Sequence, residues 1–394
     1  MKVPAMRILY VTDTALPEVN GVTTVLAMMR RGLERRGHAV QLVAPRYGDE
    51  PEEPGVARHP SVQLPGYAQS RLALPFGGTV RRVVADFGPD LVHVVTEGIL
   101  GRIGRAEAVR RGLPLVTSFH TDFPRYAARY LGEWAVGPVR GYLRRFHGAA
   151  LLTQTPSETT RAELESLGIP RAVVWGRGVD SSFFTPARRS ESRRAALGAE
   201  GRTLVLHVSR LAVEKDVDTL VAALQQSRAA LGDAAVYVVA GDGPKAAEVR
   251  AGLPFARHLG FLARAELADL YSDSDLFVFP SPTETCGLVV LEAMASGLPV
   301  VSSDRGGVLE NMREGRNGRL VPAGDAARFA DVITELVRDP FERGVMGQAA
   351  RAFAVARDWS SELDALEPMY AGAIAARRRS HRGATTELAS VPRP

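Results

Sequence analysis

The chain has 394 residues, 45% apolar and 24% charged, which suits two or three globular domains with cores of their own and excludes a fibrous or wholly disordered protein. A lone cysteine, Cys286, excludes an internal disulfide and a cysteine-cluster metal centre. With an opening apolar run too short for a secretory signal and no run of membrane-spanning length, a cytoplasmic location is expected. The net charge of +5 is uneven: residues 1–178 hold 23 Lys+Arg against 16 Asp+Glu (+7), and residues 179–394 hold 26 against 28 (−2).

The first apolar run, 8–12, reads as a strand that ends in Thr12-Asp13-Thr14 and passes through Glu18 and Asn20-Gly21 into helical periodicity over 23–36. Strand-like runs return at 39–44, 91–95, 115–118, 150–154 and 172–175, with a helix over 158–167. From 102 to 145 nine arginines stand against Glu107, Asp122 and Glu133, with Phe123, Tyr126, Tyr130, Trp134 and Tyr142 among them. That stretch suits an anionic membrane or acidic partner. It equally fits a solvated helix face in a chain where 46 of 49 basic residues are arginine.

Residues 176–201, rich in glycine, serine, proline and arginine, read as a linker. The strand pattern then restarts at 203–208, 235–240, 276–280 and 298–302, so both halves read as doubly wound α/β units. The expected boundaries are a first domain at 1–178, a second at 179–358, a helix at 359–376 and a disordered basic tail at 377–394.

Glu284 and Glu292 carry the most chemistry. Glu284 lies in turn-forming Ser-Pro-Thr-Glu-Thr after a strand, and Glu292 is the only ionisable group of an apolar helix over 288–295. A loop in that place lies at the carboxyl edge of a parallel sheet, where the amides of Cys286, Gly287 and Leu288 would face a docked anion. A carboxylate entering a buried surface needs donors, and sugar hydroxyls would serve; otherwise Glu292 marks a wet helix face and Glu284 an ordinary turn. Two sugars joined through phosphates, the shape of a nucleotide sugar, would satisfy both carboxylates and the helix end at once.

Other strand ends add to this. Gly21 opens a helix after the first strand, where a glycine lets backbone approach a phosphate, although Asn-Gly is also a common turn. His120 ends a strand and can donate to a substrate hydroxyl or satisfy the fold itself. Arg210 and Lys215 follow another strand and can clamp a diphosphate, or lie idle as surface cations. Gly241-Asp242-Gly243-Pro244 resembles a nucleotide-edge loop but lacks the third glycine of a dinucleotide fingerprint, so no such cofactor is expected. Asp273-Ser274-Asp275 could hold a divalent ion, yet it enters a buried strand, and no metal is expected.

Taken together, Asn20-Gly21, His120, Arg210 with Lys215, Gly-Asp-Gly-Pro at 241–244 and Glu284 with Glu292 resemble the retaining nucleotide-sugar glycosyltransferases of the two-Rossmann-domain (GT-B) type. Phe-His-Thr-Asp-Phe-Pro at 119–124, Trp-Gly-Arg-Gly-Val-Asp at 175–180 and Thr-Glu-Thr at 283–285 are similar to GDP-mannose-dependent α-mannosyltransferases of glycolipids and to sulfoquinovosyl-diacylglycerol synthases. The resemblance implies an α/β fold of two Rossmann-like domains facing across a cleft, with the C-terminal helix crossing back to the first.

By position, the resemblance implies that Gly21, beside Asn20, gives an amide to the donor diphosphate while Arg210 and Lys215 neutralise it. Glu284 and His120 would hold the transferred sugar and Glu292 the ribose, with Gly243 and the 286–288 amides also on the donor. Relatives often carry phenylalanine at Cys286, which leaves that residue its backbone role. Asp13, Glu18 and Asp122 would lie on the acceptor side. The implied reaction moves a hexose, mannose favoured, from a nucleotide-diphosphate sugar to a lipid or glycan acceptor without a metal or cofactor, at the cytoplasmic face of the inner membrane if the acceptor is a lipid. The alternatives are sulfoquinovosyl or glucosyl transfer from a UDP-sugar, a nucleotide-sugar 2-epimerase, and a non-enzymic basic binding protein. No nucleic-acid motif is present.

Overall fold

The computed structural model describes residues 3–48, 50–64, 67–169 and 171–389. The chain divides into two compact units: Met1–Gly176 with Ser360–Pro394, and Arg177–Trp359.

In the first unit the strands are β1 (Arg7–Val11), β2 (Ala39–Pro45), β3 (Val56–His59), β4 (Ser61–Leu64), β5 (Tyr67–Ala73), β6 (Leu91–Val94), β7 (Leu115–Ser118), β8 (Leu152–Thr155) and β9 (Ala172–Val174). Seven of them form a sheet in the order β3-β2-β1-β6-β7-β8-β9, parallel throughout, while β4 and β5 pair antiparallel beside it. Ile8 to Val11 are fully buried because helices cover both faces, which is why the strands read as unbroken apolar runs. The chain runs outward from β1 to β3, then returns to β6 on the other side of β1. That reversal makes the carboxyl ends of β1 and β6 a topological switch point, the place where such sheets bind ligands.

The helix Trp359–Ala389 closes this unit from Ser360 onward. Leu363, Leu366, Tyr370, Ala373 and Ile374 are buried at helical spacing, and Gly32 leaves room for the Leu363 side chain. Arg36 donates to Asp364 at 2.7 Å, and the Tyr370 hydroxyl lies 3.0 Å from that of Tyr10 and 2.6 Å from His93 Nδ1. The helix does not stop at 376: it continues to Ala389. Residues 390–394 lie outside the described residues.

The second unit holds β10 (Thr203–Val208), β11 (Ala235–Ala240), β12 (Arg257–Gly260), β13 (Leu276–Phe279), β14 (Val300–Ser303) and β15 (Gly318–Val321), parallel in the order β12-β11-β10-β13-β14-β15. Leu204, Leu206 and Val208 pack into one apolar layer and Val205 into the other, as strand alternation requires. Here the switch point falls between β10 and β13. The stretch expected as a linker is instead part of this unit's core, since Val179, Phe184 and Ala199 are buried in it. Among the described residues no helix is long and apolar enough to cross a membrane.

Candidate active site

In the second unit, the loops after β10 and β13 bring Arg210, Lys215 and Glu284 to the switch point. The Lys215 ammonium donates to the Glu284 carboxylate, which also accepts from Ser281 Oγ at 3.3 Å. Arg210 donates to the buried Glu214 carboxylate, and the Glu214 carbonyl accepts from Thr283 Oγ1 at 2.8 Å, tying the two loops together. Both cations expected to meet a diphosphate therefore already have carboxylate partners in the unit. An incoming anion would share them.

Backbone contact holds the Glu284 loop in place. Gly307 donates its amide to the Glu284 carbonyl at 2.6 Å, and a Cβ at Gly307 would overlap the Thr285 carbonyl; one at Gly306 would sit 2.9 Å from the Glu284 carbonyl. Asn311 Nδ2 donates to the Cys286 carbonyl at 2.7 Å, while the Cys286 side chain is buried in the core. Gly287 takes a left-handed conformation (φ 73°) that bends the loop into the helix Leu288–Ala295, and no side chain caps that helix. Its first-turn amides, Gly287 and Leu288 among them, are the positive end of the helix.

Glu292 lies largely buried on that helix. Burial lifts its carboxyl from 4.5 to about 7, against the pull of Arg264 and of the Tyr271 hydroxyl 3.5 Å away. Arg264 is fixed over the Phe183 ring at 4.2 Å and lies 3.6 Å from Asp180. Among the described residues Tyr271 is the one hydrogen-bond partner of the Glu292 carboxyl group, which leaves it acceptor capacity.

The Gly-Asp-Gly-Pro loop packs against the segment that follows β10. A Cβ at Gly241 would overlap the Ser209 carbonyl and one at Gly243 the Leu211 carbonyl, and Leu211 donates its amide to Asp242 at 2.9 Å. These glycines let the loop lie flat against the Arg210 segment. Beneath it, buried His207 is depressed to about 4, burial being the main cause, and lies 2.9 Å from the Val278 carbonyl and 2.8 Å from Ser209 Oγ. The neutral ring thus pins the end of β10. Asp273 and Asp275 are taken up by Arg193 at 2.6 Å and by Arg189 and Arg194, each at 2.9 Å. Among the described residues no cluster of three or more metal-ligating side chains occurs.

In the first unit the switch point is occupied by Asp13, whose carboxylate accepts from Thr96 Oγ1 at 2.8 Å and from the amides of Leu100 at 2.7 Å and Gly101 at 3.1 Å. It caps the helix Ile99–Arg110, so all three contacts serve the fold. Asn20 caps Gly21–Arg35 by accepting from Val22 at 2.9 Å and Thr23 at 3.0 Å, and donates to Thr14 and Glu18. Its side chain is spent on the loop, leaving the Gly21 amide at the head of the first turn. Glu18 accepts from Tyr47 and Ser70 at 3.0 Å each. His120 follows β7 at its carboxyl end, one strand from the switch point, and Asp122 caps Phe123–Tyr130.

Sequence reasoning missed Tyr271, Gly306-Gly307, Asn311 and His207. The glycine pair after β14 was the legible signal, since two glycines at a strand end mark a close backbone approach. It also missed Glu97, buried after β6 with its carboxylate 3.4 Å from His147 Nε2 and its carboxyl raised by burial.

Residues 202–339 match the family described as "Glycosyl transferases group 1" and residues 19–183 that described as "Glycosyltransferase Family 4". The chain is 34% identical over 371 residues to the GDP-mannose-dependent alpha-mannosyltransferase of Mycobacterium tuberculosis, covering 92% of this chain and 95% of the relative. It is 34% identical over 370 residues to sulfoquinovosyl transferase SQD2 of Arabidopsis thaliana, covering 90% and 71%. Among solved structures, the sucrose-phosphate synthase of Thermosynechococcus elongatus has the same fold, with a TM-score of 0.78 at 21% identity over 94% of this chain and 100% of that one. Kinship at a third identity across nine-tenths of the sequence, with separate family matches in each half, makes this chain a member of the group 1 glycosyl transferases of the GT-B type.

Proposed function

We propose that this glycosyltransferase moves a hexose, mannose in first place, from a nucleotide-diphosphate sugar to a lipid or glycan acceptor, with retention and without a metal. The observation that carries the reading is the Lys215–Glu284 pair at the switch point beside a helix N-terminus with no side-chain cap: a cation, a carboxylate and helix amides where two loops meet. Mannose is favoured by the activity for which the mycobacterial relative is named.

In this reading the departing diphosphate lies on the amides of Gly287 and Leu288, with Arg210 and Lys215 swinging partly from their carboxylates to it. Preorganised donors aimed at developing charge are usually the largest single contribution to such a reaction, about 3 kcal/mol for one donor. Lys215 leaving Glu284 frees that carboxylate to accept from the sugar hydroxyls. Glu292 takes the ribose hydroxyls and His120 a sugar hydroxyl. A diphosphate oxygen serves as base for the acceptor, so no enzymic nucleophile is needed. Glu18 and Asp122 border the acceptor, and a lipid acceptor would be met by exposed Phe123, Tyr130, Leu131 and Trp134, with Arg125, Arg140, Arg144 and Arg145 exposed nearby.

A thermal-shift screen against GDP, UDP and ADP and their sugars, followed by transfer to a lipid acceptor, tests the reading. A folded-state ligand at a hundredfold excess over its dissociation constant adds about 2.7 kcal/mol of stability. GDP-mannose should give the largest shift; no shift with any of the set sinks the proposal. The second reading, sulfoquinovosyl or glucosyl transfer from a UDP-sugar, is favoured by the equal identity to the Arabidopsis enzyme and would show as a UDP-sugar preference.

A further inference from the structure

The second unit has a cavity of about 580 Å³ at the amino ends of β13 and β14, the sheet edge opposite Glu284; Arg189, Asp275, Gly344, Gly347, Arg343 and Arg351 are among its lining. Arg343 and Arg351 lie two turns apart on one face of the helix Pro340–Val355, roughly 12 Å along its axis. Gly347 between them packs on the Gly297 backbone, where a Cβ would overlap the Gly297 carbonyl. That close contact lies between the two guanidinium groups along the helix.

Each group is held by carbonyl oxygens through Nη1 alone: Arg343 donates to Leu336 at 2.6 Å and Val337 at 3.1 Å, and Arg351 to Phe184 at 2.9 Å and to Ala295. The Leu336, Val337 and Ala295 carbonyls end the helices Ala326–Arg338 and Leu288–Ala295, whose negative ends favour a guanidinium but carry no full charge, and among the described residues Nε and Nη2 of both arginines have no hydrogen-bond partner. The cavity's aspartate is already answered, since Asp275 is paired with Arg189 and Arg194 at 2.9 Å each. Burial lowers the pKa of both Arg343 and Arg351, and among the described residues neither of these half-buried charges is held in an ion pair.

We propose that this cavity binds a phosphorylated sugar, its phosphate on the free edge of one arginine and its hydroxyls toward the other. The volume lies in the range of small-molecule sites and is far larger than a free phosphate needs. Planar guanidinium edges match phosphate oxygens two at a time.

Isothermal titration of the full chain with mannose 6-phosphate and with inorganic phosphate, in excess GDP to occupy any nucleotide site, tests this. Two variants locate the site: Arg343→Gln, and Gly344→Leu, which places a bulky side chain on the cavity lining where an added Cβ meets nothing within 4 Å. The expected result is one saturable site for mannose 6-phosphate, at least tenfold weaker in each variant, tighter than inorganic phosphate, with sugar transfer in its absence unchanged. No saturable binding to the wild type, binding in both variants as tight as in the wild type, or phosphate binding as tightly as the ester overturns the proposal.

Discussion

Lys215 and Glu284, 69 positions apart in the chain, are joined as an ion pair where the loops after β10 and β13 meet. The pair is largely shielded, with side chains 18% and 15% exposed, so it counts for more than a surface salt bridge. Lys215→Ala should lower the transfer rate at saturating donor by about a hundredfold or more, the magnitude of one lost charge-stabilising donor. Because the two residues act together, adding Glu284→Gln should cost much less than the sum of the single effects. Steady-state kinetics of the three variants decide this; a Lys215→Ala enzyme as fast as wild type removes the assignment.

Glu292 gives a pH signature. Its carboxyl is raised in the folded state from 4.5 to about 7, so the folded protein holds a proton that the unfolded chain has released, and stability falls as pH rises across that window. Glu292→Gln should match wild type near pH 4.5 and exceed it above pH 7 by up to roughly 3 kcal/mol. Ribose hydroxyls favour the ionised form, so donor affinity of the wild type should climb as pH passes through about 7, and the variant should be flat. Thermal unfolding and donor titration from pH 5 to 8 read both effects.

Gly307→Ala tests the backbone support of the Glu284 loop. The added methyl overlaps the Thr285 carbonyl and meets the Cys286 nitrogen at 2.9 Å, so the loop must move. The expected outcome is a donor KM raised at least tenfold with far-UV circular dichroism unchanged. An unaltered KM means the loop does not set donor binding.

How much of the molecule is legible in its sequence depends on the kind of interaction each residue makes. The parallel sheets are readable because strands buried on both faces leave unbroken apolar runs, as at 203–208 and 235–240. Strand β12 is not: its Arg-His-Leu-Gly lies at a sheet edge and carries no such pattern. Glu284 and Glu292 stand out as acids in apolar or turn surroundings. Tyr271 reaches Glu292, and Asn311 reaches the Cys286 carbonyl, only through tertiary packing, which local periodicity does not encode. The packing of the Gly-Asp-Gly-Pro loop on the Arg210 segment is not legible, because glycines that admit a phosphate and glycines that admit another loop look alike in sequence.

Tyr370→Phe removes the hydroxyl that lies between Tyr10 and His93 in the buried heart of the first unit. Two buried polar groups lose a partner, for an expected loss of about 1–3 kcal/mol. Urea unfolding followed by tryptophan emission should show the first unit's transition moved to lower denaturant. A loss below a few tenths of a kcal/mol means water takes over the contact.

Because the helical segment from Ser360 onward completes a unit begun at the N-terminus, the polypeptide for that unit is discontinuous in the gene. On the ribosome the middle stretch, Arg177–Trp359, is the first unit to have all of its elements, while the earlier-made β1 to β9 await their last helix. Until it emerges, Leu363, Leu366 and Tyr370 have not covered the apolar ground beside Gly32, and that nascent half is exposed to aggregation. Premature termination upstream of Tyr370 would thus damage the beginning of the protein more than its middle.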